Sequence, residues 1–150
     1  MKFRYRQYHV EPSPTCPDGI LYRPMVPIRV IGLTGDASFR ALLDSGSDET
    51  LLPRSIGDAI GAEIDEQETS RIAGIAGQTV ETVLGTVEIE LSLGTMTHRW
   101  SEQVRFVAFE HPEDEIAILG HAGFLNYFTA TLDGRKHEVT LKANRTLPKR

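Results

Sequence analysis

Hydrophobic and polar positions alternate with a period of two along much of this chain. The clearest run is residues 83–92, where Val83, Gly85, Val87, Ile89 and Leu91 take turns with Leu84, Thr86, Glu88, Glu90 and Ser92. That period buries one face of a strand and leaves the other mostly polar. A turn at Leu93, Gly94 and Thr95 leads to a partner strand over residues 96–100, and VRFVAF at residues 104–109 is apolar on both faces, as in a central strand. Upstream, residues 25–31 predict a strand in which Pro27 argues for an edge or a strand start. A hairpin turn over residues 34–37 returns the chain as residues 38–44. IAILG at residues 116–120 reads as a short buried strand ending on glycine, and residues 127–132 and 136–141 alternate around Asp133-Gly134, a strong hairpin signal. Pro53 and Gly61 bracket a short helix over residues 54–60, and residues 122–126 suit a helical turn. The sum is about eight or nine short strands with two small helical pieces, a mostly antiparallel all-β domain.

Composition narrows the class without changing the fold. The 150 residues suffice for one compact domain, at 40% hydrophobic and 25% charged, with a net charge of −5. That balance argues against a nucleic-acid partner, which calls for a basic face. Basic residues gather at both ends (Lys2, Arg4 and Arg6; Lys142, Arg145, Lys149 and Arg150) and read as solvated termini. The single cysteine, Cys16, allows no internal disulfide, and no run approaches a membrane span or a secretory leader, so the expected location is cytoplasmic with no membrane partner. The histidines (His9, His98, His111, His121 and His137) show no metal-ligand spacing, so neither a metal nor a cofactor is expected. His121 reads as a histidine without a task.

Candidate chemistry sits in one stretch, residues 41–53, ALLDSGSDETLLP. An apolar run delivers Asp44 into Ser45-Gly46, and Asp48 and Glu49 follow at once. A strand that ends on a carboxylate and breaks at glycine leaves the acid at a sheet rim, with backbone N–H groups free to turn toward it. Asp-Ser-Gly alone is ordinary turn chemistry more often than catalysis, but here it closes a strongly apolar strand. Residues 63–70, EIDEQETS, are acidic and exposed, and RIAGIAGQTVET at residues 71–82 places Gly74 and Gly77 around Ile75-Ala76, the composition of a mobile hairpin tip.

In this order the pieces resemble the single-domain aspartic proteases of the retropepsin, or retroviral protease, type. ALLDSGSDETLLP is similar to their catalytic loop, RIAGIAGQTV to their flap, and AILG at residues 117–120 to the segment backing the catalytic loop. The likeness spans roughly residues 25–130. It implies a closed β-barrel of the acid protease fold with a flap hairpin and one or two short helices, occupying residues 25–150 after an N-terminal extension at residues 1–24. Two departures stand out: His121 falls where viral enzymes carry arginine, and the C-terminal hairpin runs past the point where viral chains stop.

The resemblance implies a homodimeric aspartic endopeptidase acting on a peptide or protein substrate. One D-S-G occurs in the chain, so a pair of acids must come from Asp44 of two protomers. Ser45 would bond across the two-fold axis, and Gly46 would present backbone to the acids. Asp48 would bind substrate backbone and Glu49 shape a subsite, while Gly74, Ile75, Ala76 and Gly77 would close as a lid. Ile118 is expected in a pocket wall, with Ala41, Leu51 and Ile116 as further candidates for wall or core. The alternatives are a related domain that binds or scaffolds partners without cleavage, and a β-barrel ligand carrier whose D-S-G is only a turn.

Overall fold

The structure is a computed structural model, and residues 1–148 are described. Lys149 and Arg150, read above as part of a solvated terminus, lie outside the described residues. In chain order the strands are β1 (Lys2–Arg4), β2 (Arg6–His9), β3 (Ile20–Arg23), β4 (Met25–Ile31), β5 (Asp36–Leu43) and β6 (Leu51–Pro53). Helix α1 (Arg54–Ile60) follows, then β7 (Glu63–Ala73), β8 (Thr79–Leu93), β9 (Met96–Val107), β10 (Ile118–Leu119), β11 (Phe128–Asp133) and β12 (Glu138–Ala143).

One sheet runs β4-β5-β10-β6-β9-β8-β7, and β4 also pairs with β8, so the strands between them close on themselves as a ring. The inward positions of β8 are those the alternation marked: Gly85, Val87, Ile89 and Leu91 are buried. They meet Val26, Ile28 and Val30 of β4, Leu52 of β6 and Trp100, Val104 and Phe106 of β9 in one hydrophobic core. Each such side chain removed from water contributes about 1.5–3 kcal/mol, the main reason the ring closes.

Two strands depart from the pattern read off the sequence. β9 is continuous from Met96 to Val107 and pairs with β8 over its whole length, where the sequence pattern reads as two separate strands at residues 96–100 and 104–109. The period is kept: Glu102 takes an inward position between Trp100 and Val104 and accepts a hydrogen bond from the Tyr127 hydroxyl at 2.7 Å. The acidic segment at residues 63–70 lies in β7, antiparallel to β8 with an irregularity between Asp65 and Thr69. Apart from Ile64, which packs against the core, it presents no apolar side chain and is held as an edge by backbone bonds to β8.

Helix α1 ends on Gly61 with φ 66°, a left-handed position that glycine adopts without strain. Gly57 lets the helix approach β9: a Cβ there would stand 2.6 Å from Phe106 Cε1, and one on Gly85 would stand 2.6 Å from Phe106 Cε2. The Phe106 ring is therefore clamped between two missing side chains.

Residues 1–24 are ordered strand and turn. β1 pairs with β12, and with β11 they form a three-stranded sheet whose Phe3, Phe128, Val139 and Leu141 join the same core. β2 and β3 form a separate ribbon. Among the described residues, no helix is long and apolar enough to cross a membrane.

Candidate active site

β5 carries its apolar run through the core, with Ala41 and Leu43 buried, and releases the chain at Asp44. It runs parallel to β10, with Leu42 opposite Ile118 and Leu43 opposite Leu119. The Asp44 N–H donates to the Leu119 carbonyl at 3.1 Å and Leu42 N–H to Ala117 at 2.8 Å, so the backbone delivering the acid is anchored to β10. The chain then turns back: Gly46 N–H donates to Asp44 Oδ1 at 2.8 Å, and Ser47 N–H to the Asp44 carbonyl at 3.3 Å. A Cβ on Gly46 would come within 3.2 Å of that carboxylate oxygen. Glycine thus permits the contact that aims the acid.

The segment after Leu119 braces this loop. His121 N–H donates to the Ser47 carbonyl at 2.9 Å, Ala122 N–H to Asp48 at 2.8 Å, and Thr50 N–H to Ala122 at 2.9 Å. Gly120 makes the approach possible, since a Cβ there would stand 2.2 Å from the Glu49 carbonyl oxygen. His121 is not idle: its Nε2 lies 3.0 Å from the Ser45 carbonyl. A carbonyl only accepts, so this contact makes Nε2 the protonated ring nitrogen. Sequence reasoning missed the role because nothing local to His121 announces a partner at Ser45.

Over the loop stands the β7–β8 hairpin. Its tip closes with Gly74 N–H donating to the Gln78 carbonyl at 2.7 Å, and the chain kinks through Ile75–Gly77 with non-helical backbone at Ala76. Ala76 and Gly77 have φ 62° and 74°. The left-handed conformation costs an alanine about 1–2 kcal/mol. Ile75 is 96% exposed, an apolar side chain held out with no covering neighbour among the described residues.

Between loop and hairpin lies a groove of about 750 Å³, in the range of small-molecule and peptide sites. Of the residues anticipated from sequence, Asp44, Gly46, Asp48 and Glu49 line it from the loop, Gly74 and Ile75 from the hairpin and Ile118 from β10. Ser45, Ala76 and Gly77 sit outside it, exposed at its rim. Leu51 is a wall residue, whereas Ala41 is buried in the core and Ile116 lines a different hollow. Ser47 and, from β7, Arg71, Ile72 and Ala73 also line the groove. These three β7 residues belong to the run read from sequence as the flank of the hairpin tip, but were not singled out there as lining.

Charge in the groove is uneven. Glu49 Oε1 lies 3.3 Å from Arg105 Nε, and that guanidinium also donates to the Glu68 carbonyl at 3.3 Å, tying the loop to β7. The Arg105 side chain is only 13% exposed. Among the described residues the Asp48 carboxylate has no ion-pair or hydrogen-bond partner, and no group of His, Cys, Asp and Glu is placed to hold a metal ion. The arrangement offers one aimed carboxylate, a free one beside it, and an extended cleft under a hairpin.

A family model described as aspartyl protease matches residues 26–122, the span that holds the loop, the hairpin and the bracing segment. Among solved structures, the protease of EIAV complexed with the inhibitor HBY-793 is similar at 21% identity, over 66% of this chain and 82% of that one, with a TM-score of 0.42. None of the curated proteins matches.

Proposed function

The chain belongs to the aspartyl protease family, and on that premise we propose that it is a cytoplasmic aspartic endopeptidase, active as a homodimer in which each protomer contributes Asp44. One observation carries the reading: a single acid of this kind leaves a core strand with its carboxylate held by the Gly46 N–H at 2.8 Å and facing the groove beneath the hairpin. Amide hydrolysis by carboxyl groups needs one to take a proton from water and another to protonate the carbonyl oxygen. A lone aspartate cannot do both at once. A two-fold axis beside the loop supplies the second Asp44, and two carboxylates that close share one proton.

The ionised member takes a proton from water as the water oxygen bonds to the carbonyl carbon, while the protonated member gives its proton to the carbonyl oxygen. The tetrahedral diol then collapses. The C–N bond breaks, the nitrogen takes a proton from the pair, and a diol hydroxyl returns a proton to the other acid. Ser45 bonds across the axis, and Gly46 presents its backbone to the acids and substrate. Asp48 holds substrate backbone, Glu49 shapes a subsite with its charge countered by Arg105, and Ile118 forms wall. Gly74, Ile75, Ala76 and Gly77 close over the peptide, orient it as an extended strand and exclude water.

The test is cleavage of a diverse peptide library read by mass spectrometry, wild type against Asp44→Asn. The substitution keeps the size and shape of the side chain and removes the acid. Cleavage confined to wild type supports the mechanism, and the fragment ends report the subsite preference. Cleavage that survives Asp44→Asn overturns it. A stable monomer that cleaves nothing favours a partner-binding domain instead.

A further inference from the structure

Away from the groove, the β2–β3 ribbon overhangs β4, β5 and the segment leading to β10. Beneath it are two adjoining hollows of about 530 Å³ and 580 Å³, which share Arg6, Phe39 and Arg40 as lining. Their arginines are unusual. Arg6 and Arg23 are directly opposite each other in the ribbon register, an arrangement in which like charges destabilise a strand pair. Both guanidinium groups stack on Tyr8, at 5.5 Å and 5.0 Å from its ring centroid. Among the described residues neither has an acid within ion-pair distance, and Arg40 reaches only the Met25 carbonyl at 3.4 Å. Arg29 nearby is different, because Asp36 and Glu90 occupy it.

The floor is apolar: half-buried Phe39 and Ile56, with buried Met25, face the same space. On the far wall the loop after β9 carries Glu113 and Glu115, exposed and without an ion pair to the three arginines. In a chain of net charge −5, three arginines without ion-pair partners among the described residues outnumber the two glutamates of this trough and leave it locally cationic.

We propose that this trough is a docking site for an extended acidic peptide segment that carries interspersed apolar side chains. The arginines take its carboxylates, and the Phe39–Ile56–Met25 floor takes its apolar side chains. The chemistry favours a peptide over nucleic acid, because the acidic surroundings repel a long polyanion at many points, whereas a short segment meets the three arginines and only Glu113 and Glu115 against it. The ribbon adds a recognition mode, since among the described residues β2 and β3 pair only with each other and each presents an unpaired edge. This inference does not depend on the catalytic reading. If both hold, the trough is a second contact that selects acidic protein substrates.

The test is fluorescence anisotropy with a labelled peptide of about 10 residues, roughly 33 Å long in extended form, alternating Glu with Leu and Phe. The protein is the full chain carrying Asp44→Asn, so that cleavage does not consume the probe. Expected are saturable binding that weakens as salt rises, at least a tenfold loss in Arg6→Glu or Arg23→Glu, and severalfold tighter binding in Glu113→Gln/Glu115→Gln, where competing charge is removed. Arg40→Gln, which leaves the ribbon untouched, also weakens binding and guards against a ribbon that no longer folds. Failure of the peptide to bind, equal binding of its Glu→Lys counterpart, or indifference to the arginine substitutions overturns the proposal. Tighter binding of a single-stranded oligonucleotide than of the peptide overturns it too.

Discussion

Replacing Gly120 with alanine adds one methyl group at the closest approach of two backbone segments. The new Cβ would stand 2.2 Å from the Glu49 carbonyl oxygen, 2.7 Å from its carbon and 2.7 Å from the Ser47 carbonyl oxygen. Ordinary contact lies near 3.5 Å, so the segments must separate by about 1 Å. All three obstacles are backbone and cannot swing aside. The separation strains the bonds from His121 N–H to Ser47 and from Ala122 N–H to Asp48, at 2.9 Å and 2.8 Å. Losing both costs about 1–3 kcal/mol, and overpacking adds about 1–3 kcal/mol. A loss of about 4 kcal/mol lowers Tm by roughly 10 °C in a chain of this size. Thermal unfolding followed by circular dichroism measures it. Gly74→Ala is the control: its Cβ meets only the Gln78 carbonyl at 3.7 Å, and its extended φ of −99° suits alanine, so its Tm stays within about 2 °C of wild type or rises slightly. Equal melting of Gly120→Ala and wild type, or an equal fall in both variants, refutes the claim that this approach holds the loop.

Other substitutions separate catalysis from stability. Gly46→Ala presses a methyl group to 3.2 Å from Asp44 Oδ1, and kcat should fall at least tenfold, about 1.4 kcal/mol, with little change in Tm. Ile75→Ser should raise KM without moving Tm: the side chain is 96% exposed in the free protein, and burying it on a bound peptide contributes about 1.5–3 kcal/mol. Thr50→Val should stabilise by about 1 kcal/mol in denaturant unfolding, because the threonine is 1% exposed and its hydroxyl has no hydrogen-bond partner among the described residues; destabilisation would show that the hydroxyl is satisfied. The Tyr127 phenol is pushed up to about 12, chiefly by its hydrogen bond to Glu102 and then by desolvation. Its folded value lies above the unfolded value of about 10, so its contribution is complete below that pH and is lost as pH climbs through the folded value. Tm should fall across this alkaline window, and Glu102→Gln should flatten the fall.

What the sequence determined by itself was whatever depends on local pattern. The period of two through β8 announced a half-buried strand, Pro53 and Gly61 bounded α1, and Asp133-Gly134 placed the β11–β12 hairpin. The acid-bearing loop, the glycine-flanked hairpin tip and the segment before Gly120 were legible as motifs in order, because each is a short run whose residue types have a backbone purpose. Contacts between residues distant in sequence were not legible. β7 is a strand because β8 offers it backbone partners, and β9 stays continuous by pairing with β8 along its length while Tyr127 satisfies Glu102. His121 meets Ser45 across 76 positions, Arg105 meets Glu49 across 56, and Arg6 turned from an apparent terminal charge into the lining of a trough. Periodicity and turn chemistry are properties of neighbouring residues, whereas hydrogen-bond and charge complementarity come into being only when the ring closes and brings remote side chains within reach.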